Sequence, residues 1–151
     1  MKKIELVIPV LNEAASIDKF IDSAEESLRQ SSNIEFGIIF VDDGSTDQTI
    51  DKIRALKQDF FKIRCISLSR NFGKEAALTA GLNYANADAV VPIDVDLQDP
   101  PSLIREMIDC WLEGADVVVA RRIIRPDDTW ARRTSSRAYY SLLNRMSKPK
   151  I

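Results

Sequence analysis

Ile4-Glu5-Leu6-Val7-Ile8-Pro9-Val10 runs directly into Leu11-Asn12-Glu13. A short run that is mostly apolar and rich in β-branched side chains reads as a strand buried on both faces, and the polar residues after it mark its end. The same pattern recurs along the chain with a helix after each strand. Residues 14–29 place Ile17, Phe20, Ile21, Ala24 and Leu28 at helical spacing. Residues 36–41 form a second strand, and 47–57 a helix with Ile50, Ile53 and Leu56 on one stripe and Ser45 or Thr46 as its N-cap. Residues 63–68 are a third strand, and 74–84 a helix entered through Gly73. A fourth strand covers 89–93, then a helix over 101–112 with Pro101 in its first turn, where a missing N–H costs nothing. Residues 115–120 read as a fifth strand and 132–146 as a basic amphipathic helix. Alternation of this kind, with continuous apolar strands, predicts an α/β fold: a mostly parallel sheet with helices on both faces.

The 151 residues suffice for one ordinary domain, and 45% apolar content is enough for a buried core. The net charge of −2 argues against a nucleic-acid binder. That total hides a split. Residues 121–151 carry nine basic residues against Asp127 and Asp128, hence +7; the remaining twelve basic and twenty-one acidic residues give the first 120 a charge of −9. Division into a core over 1–120 and a basic segment over 121–151 follows, with the basic segment expected to meet something anionic. The absence of histidine excludes histidine zinc sites and Ser-His or Cys-His catalytic pairs. Cys65 and Cys110 each lie in an apolar run and are expected to be buried free thiols. No signal peptide or membrane span is apparent, so this stretch is expected to be soluble.

In open parallel sheets ligands bind beyond the carboxyl ends of the strands. Polar clusters fall at those places: Asn12-Glu13, Asp42-Asp43-Gly44-Ser45, Ser69-Arg70-Asn71, Asp94-Val95-Asp96 and Arg121-Arg122. Asp94 and Asp96 flank one residue, and in extended backbone alternate side chains share a face, so both carboxylates can converge on one point. Oxygen-only ligands suit Mg²⁺ or Mn²⁺, and Gln98 or Asp99 can add another. The competing reading is a capping turn before Pro100-Pro101. One aspartate of Asp42-Asp43 can accept hydrogen bonds from a ribose or a base edge; the plainer reading is a turn with a helix cap. Gly73-Lys74 opens a helix, where anions are favoured. Neither G-x-x-x-x-G-K-[ST] nor G-x-G-x-x-G is present, so ATPase and dinucleotide readings lose their main support. Arg121, Arg122, Arg132, Arg133 and Arg137 are candidate phosphate clamps. A nucleotidyltransferase would need a Gly-rich basic loop after the first strand, a place held here by Leu11-Asn12-Glu13.

The ordered set Ile8-Pro9-Val10-Leu11-Asn12-Glu13, Val41-Asp42-Asp43-Gly44-Ser45-Thr46-Asp47, Asn71-Phe72-Gly73-Lys74 and Asp94-Val95-Asp96-Leu97-Gln98-Asp99-Pro100 resembles the family 2 glycosyltransferases. Within them it is similar to the polyprenyl-phosphate branch, the bactoprenol glucosyltransferases and dolichol-phosphate mannose synthases. The resemblance implies a GT-A, Rossmann-like domain and a nucleotide-sugar donor, UDP-glucose in the bactoprenol branch. It implies that Pro9, Val10, Asn12, Glu13 and Asp42 line the nucleoside pocket, with Gly73 and Lys74 near it. Asp94 would lie near the ribose or sugar, with Asp96 and Gln98 as the stronger candidates for holding Mg²⁺ or Mn²⁺, and Asp94 a further possible ligand. Arg121, or its neighbour Arg122, matches the family's arginine after the fifth strand, and Arg132 and Ser136 match, by their spacing of four, the arginine and serine of the acceptor loop that handle phosphate.

The implied activity is inverting transfer of a hexose, glucose above all, to a polyprenyl phosphate on the cytoplasmic face of the inner membrane. The basic tail and a C-terminal region missing from this sequence would meet the membrane. A homo-oligomer is compatible with the apolar stripe of the last helix. Branch members continue well past this length, so a truncated chain is expected. The alternatives are a nucleotide-sugar-binding fragment without catalysis, and a family 2 transferase acting on a polysaccharide hydroxyl.

Overall fold

A computed structural model describes residues 1–57, 59–96 and 102–120. The chain divides into two compact units, Met1–Val118 and Val119–Ile151. The first unit contains four strands and four helices: β1 (Lys2–Val10), α1 (Ile17–Leu28), β2 (Ile34–Asp42), α2 (Thr49–Ala55), β3 (Phe61–Ser67), α3 (Lys74–Tyr84), β4 (Ala89–Pro92) and α4 (Ser102–Leu112). In the second unit only residues 119 and 120 are described, and neither is in a strand or helix.

All strand pairs are parallel, in the order β3-β2-β1-β4. The chain first winds outward from β1 through β2 to β3, then crosses back to lay β4 on the other side of β1. The direction of winding therefore reverses between β1 and β4, which opens a crevice at their carboxyl ends.

The central strand explains this arrangement. Ile4, Leu6, Val7 and Ile8 are all fully buried, as a strand covered on both faces must be. Ile4, Leu6 and Ile8 face one layer, where they meet Phe36, Ile38 and Phe40 of β2, Ile17, Phe20 and Leu28 of α1, Ile53 of α2, and Ile104 and Ile108 of α4. Val7 faces the other layer with Ile39, Val41 and Ala77 of α3. On α1 the buried residues Ile17, Phe20, Ile21, Ala24 and Leu28 form the expected stripe.

Helix α3 packs by a different device. Its buried positions are Ala77 and Gly81, one turn apart. A Cβ on Gly81 would lie 2.4 Å from Val7 Cγ1 and 2.8 Å from Val41 Cγ2. Lack of a side chain there lets the helix backbone rest directly on β1 and β2.

Three expectations change. Residues 115–120 form no strand, and Val117 and Val119 are each 80% exposed. Apolar β-branched residues favour a strand only where a partner and cover exist. Here α4 ends in a Schellman turn, with Gly114 at φ 111°, its N–H bonded to Trp111 O, and Ala115 N bonded to Cys110 O; the chain then leaves without pairing. Cys65 and Cys110 are exposed rather than buried. Cys65 lies on the edge strand, and Cys110 is offset from the buried Ile104–Ile108 stripe of α4. Finally, neither Ser45 nor Thr46 caps α2, whose N-cap is Gln48. Asp47 serves that end instead, accepting from Thr49 N at 2.9 Å, because Ser45 and Thr46 are engaged by the loop after β1. The helix expected over 132–146 lies outside the described residues.

Candidate functional site

The strand register carries the site. Val10 is level with Asp42, and Asp42 with Ser67, so the ends of β1, β2 and β3 form one rim. The rim is laced by side chains. Asn12 adopts φ 57°, and its Oδ1 accepts from Thr46 N at 2.8 Å and Asp47 N at 3.3 Å. In return Asn12 N donates to Ser45 Oγ and Glu13 N to Thr49 Oγ1, both at 2.9 Å. The loop after β1 and the loop after β2 thus form one unit.

The two neighbouring aspartates at the end of β2 do different things. Asp42 is fully buried; its carboxylate accepts from Ser45 N at 3.2 Å and Ser67 Oγ at 3.4 Å. Asp43 is 3% exposed and reaches the other way. It accepts from Phe72 N at 2.8 Å and Gly73 N at 2.9 Å, so it fixes the backbone just before α3. Gly44 between these loops has φ 80°, and a Cβ there would stand 2.6 Å from the Arg70 carbonyl carbon. Only glycine allows the two loops to come this close.

A cleft of about 290 Å³ opens at the crevice between β1 and β4. It is lined by Pro9, Val10, Leu11 and Glu13 from β1 and its loop, by Asp43, by Asn71, Gly73 and Lys74 at the head of α3, and by Asp94, Val95 and Asp96. Of the residues expected from sequence, Pro9, Val10, Glu13, Gly73, Lys74, Asp94 and Asp96 come together here. Asn12 and Asp42 sit behind the cleft, holding its rim. Leu11, Asp43, Asn71 and Val95 also line it, and sequence reasoning did not place them there. For Asp43 the signal was present, since it was one of two adjacent carboxylates after a strand, and only the buried ladder of β2 separates their roles. Gln98, Arg121, Arg132 and Ser136 lie outside the described residues, as does Arg122.

Asp94-Val95-Asp96 is not extended strand. β4 stops at Pro92, and Val95 and Asp96 begin a turn. Val95, 3% exposed, is nevertheless packed into the core, while both flanking carboxylates open onto the cleft. Lys74 Nζ lies 2.6 Å from Asp94 Oδ2, tying the head of α3 to the turn after β4. The hydrogen bond that Lys74 donates to Asp94, and then the charges of Asp94, Asp96 and Glu75, hold the Lys74 ammonium above the usual lysine range despite partial burial. Glu13 is also held, accepting from Ser16 Oγ at 2.7 Å.

The fit to a divalent cation can be judged from these donors. Two carboxylates sharing one cleft are hard oxygen ligands, although no group of three or more acidic or cysteine side chains gathers here or elsewhere among the described residues. One or two carboxylates completed by substrate phosphates is how Mg²⁺ and its like are usually held, so the residues fit.

The sequence pattern of Glycosyl transferase family 2 matches residues 5–151. The chain belongs to that family. Among curated family 2 relatives, the bactoprenol glucosyl transferase of Shigella phage SfV is 44% identical over 149 residues, covering 99% of this chain and 48% of that protein. The chain thus spans about half the length of the curated relatives it matches. Among solved structures, a mannosyltransferase from Pyrobaculum calidifontis, in complex with GDP-Man and Mn²⁺, aligns with a TM-score of 0.67 at 24% identity, covering 95% of this chain and 39% of that one. Glucosyl-3-phosphoglycerate synthase from Mycobacterium tuberculosis, in complex with Mn²⁺, UDP and phosphoglyceric acid, aligns with a TM-score of 0.64 at 25% identity, covering 95% and 49%. The four-stranded parallel sheet with its flanking helices is accordingly the α/β, GT-A Rossmann-like fold of the family. No described helix is long and apolar enough to cross a membrane.

Proposed function

We propose that this chain is the donor-binding part of an inverting glycosyltransferase that moves glucose from UDP-glucose to a polyprenyl phosphate at the cytoplasmic face of the inner membrane. The observation that carries the reading is the convergence of Asp94, Asp96 and Lys74 on one cleft at the β1–β4 crevice. The 44% identity to a phage bactoprenol glucosyl transferase supports the acceptor and sugar. A relative with bound Mn²⁺ and UDP supports the donor and the cation.

In this reading Pro9, Val10 and Glu13 flank the nucleoside, with Asn12 and Asp42 maintaining the loops that receive it. Asp94 meets the ribose or sugar. Asp96, with Gln98, holds Mg²⁺ or Mn²⁺; a bound divalent cation supplies positive charge against the departing nucleoside diphosphate. Lys74 and the head of α3 present further positive potential to the same phosphates. Arg121 adds positive charge against the departing diphosphate, and Arg132 and Ser136 orient the acceptor phosphate. A phosphate monoester is largely ionised near neutral pH, so its oxygen attacks the anomeric carbon without a general base. That agrees with a sequence without histidine. Attack opposite the leaving group inverts the anomeric configuration. The basic segment also meets the anionic membrane surface.

The test is glucose transfer from radiolabelled UDP-glucose to a short-chain polyprenyl phosphate with Mn²⁺. The native protein should form a glucosylated lipid, and Asp96→Ala should lose most of that activity. UDP binding that needs no divalent cation and is indifferent to Asp96→Ala would sink the donor-site assignment. Donor binding without lipid product would favour a binding role over transfer.

A further inference from the structure

Lys74 is oddly placed for a lysine. It is the first residue of α3, where the helix dipole is positive and a cation is disfavoured. It follows Gly73, whose φ of 95° and open surroundings leave the start of the helix facing free space. That start is fixed in position, because Asp43 holds the N–H groups of Phe72 and Gly73. In this setting Lys74 reaches across the cleft and places its ammonium 2.6 Å from Asp94. The pair joins residues twenty apart in sequence, and both side chains line the cleft. It is also open to water, with the lysine 58% and the aspartate 43% exposed, so partners can be exchanged at little cost.

We infer that Lys74 is a resident counter-ion of Asp94, that it competes with an incoming divalent cation for the paired-carboxylate cleft, and that the donor's diphosphate removes the competition by drawing the lysine onto itself. The inference rests on the donor-site reading above and adds an order to it. Without nucleotide, a cation approaching Asp94 and Asp96 meets an ammonium already seated on one of them. The lysine has to swing away from Asp94 before a cation can take both carboxylates. A diphosphate at the head of α3 offers it two negative charges and also satisfies the helix N-terminus. Cation and nucleotide therefore bind cooperatively, and the free protein does not collect metal ions at an open acidic cleft.

The experiment measures Mn²⁺ binding by the electron paramagnetic resonance signal of free Mn²⁺, with and without UDP, and UDP binding by calorimetry with and without Mn²⁺. In the native protein UDP should tighten Mn²⁺ binding. In Lys74→Met, Mn²⁺ alone should bind about fivefold or more tighter, UDP alone should bind about fivefold weaker, and the tightening by UDP should shrink to the part that direct coordination by the diphosphate supplies. Lys74→Arg should retain the native pattern, because it retains the charge. An unchanged or weaker affinity of Lys74→Met for Mn²⁺ alone, while the native protein still binds Mn²⁺ and UDP together, overturns the counter-ion role and leaves the donor site standing. A native protein that binds Mn²⁺ neither alone nor with UDP overturns both.

Discussion

Replacing Asp43 with asparagine isolates the contact that aims α3 at the cleft. The native carboxylate receives two N–H groups, Phe72 at 2.8 Å on one oxygen and Gly73 at 2.9 Å on the other. An amide of the same shape has one oxygen, so its NH₂ must confront one of those donors. Gly73 is the better one to lose, because its N–H also reaches Asn71 Oδ1 at 2.9 Å. Asp43→Asn therefore loses one charge-assisted hydrogen bond in a buried place and weakens the other, a cost of about 2 kcal/mol. With a urea slope of about 1.5 kcal/mol per M, the unfolding midpoint falls by about 1.3 M. Adding Asn71→Ala leaves Gly73 N–H without an acceptor, so the double variant should lose more than the two singles summed. UDP affinity should fall with stability, since the same backbone carries Lys74 into the cleft. A midpoint within about 0.3 M of native, together with unchanged UDP affinity, would refute the idea that Asp43 organises this loop.

Glu5 offers a pH test. Burial pushes its carboxyl up, but the Lys3 hydrogen bond, the Asn86 N–H and the Arg64 charge outweigh that and hold it below the usual carboxylate range. A lowered native value means the stabilisation is present above the unfolded value near 4.5 and is lost as pH falls through the native one. Glu5→Gln should lower stability at pH 7 by about 1–2 kcal/mol and flatten the acid limb of a stability–pH curve. Gly81→Ala should destabilise by about 1–3 kcal/mol in urea unfolding, because the new methyl meets Val7 and Val41 in a filled layer. Phe20→Ala, at a fully buried site, should cost about 3–5 kcal/mol in the same measurement. Asp94→Ala should weaken Mn²⁺-dependent UDP binding in calorimetry at least tenfold, an effect of about 1.4 kcal/mol.

Much of the fold is legible from residue pattern alone. The β1 run from Ile4 to Val10 is apolar but for Glu5, as a central strand requires, and the bounds of α3 at 74–84 are set by Gly73 on one side and the extended Ala85 on the other. What pattern does not show is whether a partner awaits. The valines of 117–119 state a demand for burial that the described residues leave unmet. In the site, strand ends are readable because polar residues interrupt apolar runs. The division of labour between Asp42 and Asp43 is not, because adjacent carboxylates point to opposite sides and only the packed sheet decides which one sees the cleft. The Lys74–Asp94 pair and the Asn12 lacing join residues twenty and thirty-four apart, a distance over which no local spacing speaks.

The lacing of the rim has a consequence for how such a site can change. The paths of the loops after β1 and β2 are set by Asn12, Ser45 and Thr49, none of which needs to touch a ligand to do its work. Leu11 also lines the cleft and is 39% exposed. Frame and lining are thus separable. A designer who wishes to alter donor preference has reason to vary Leu11 while leaving untouched the lacing residues and Asn71, which holds Gly73 N–H. Substitution at Asn12 would instead disturb two loops at once, and no single neighbouring change could restore both.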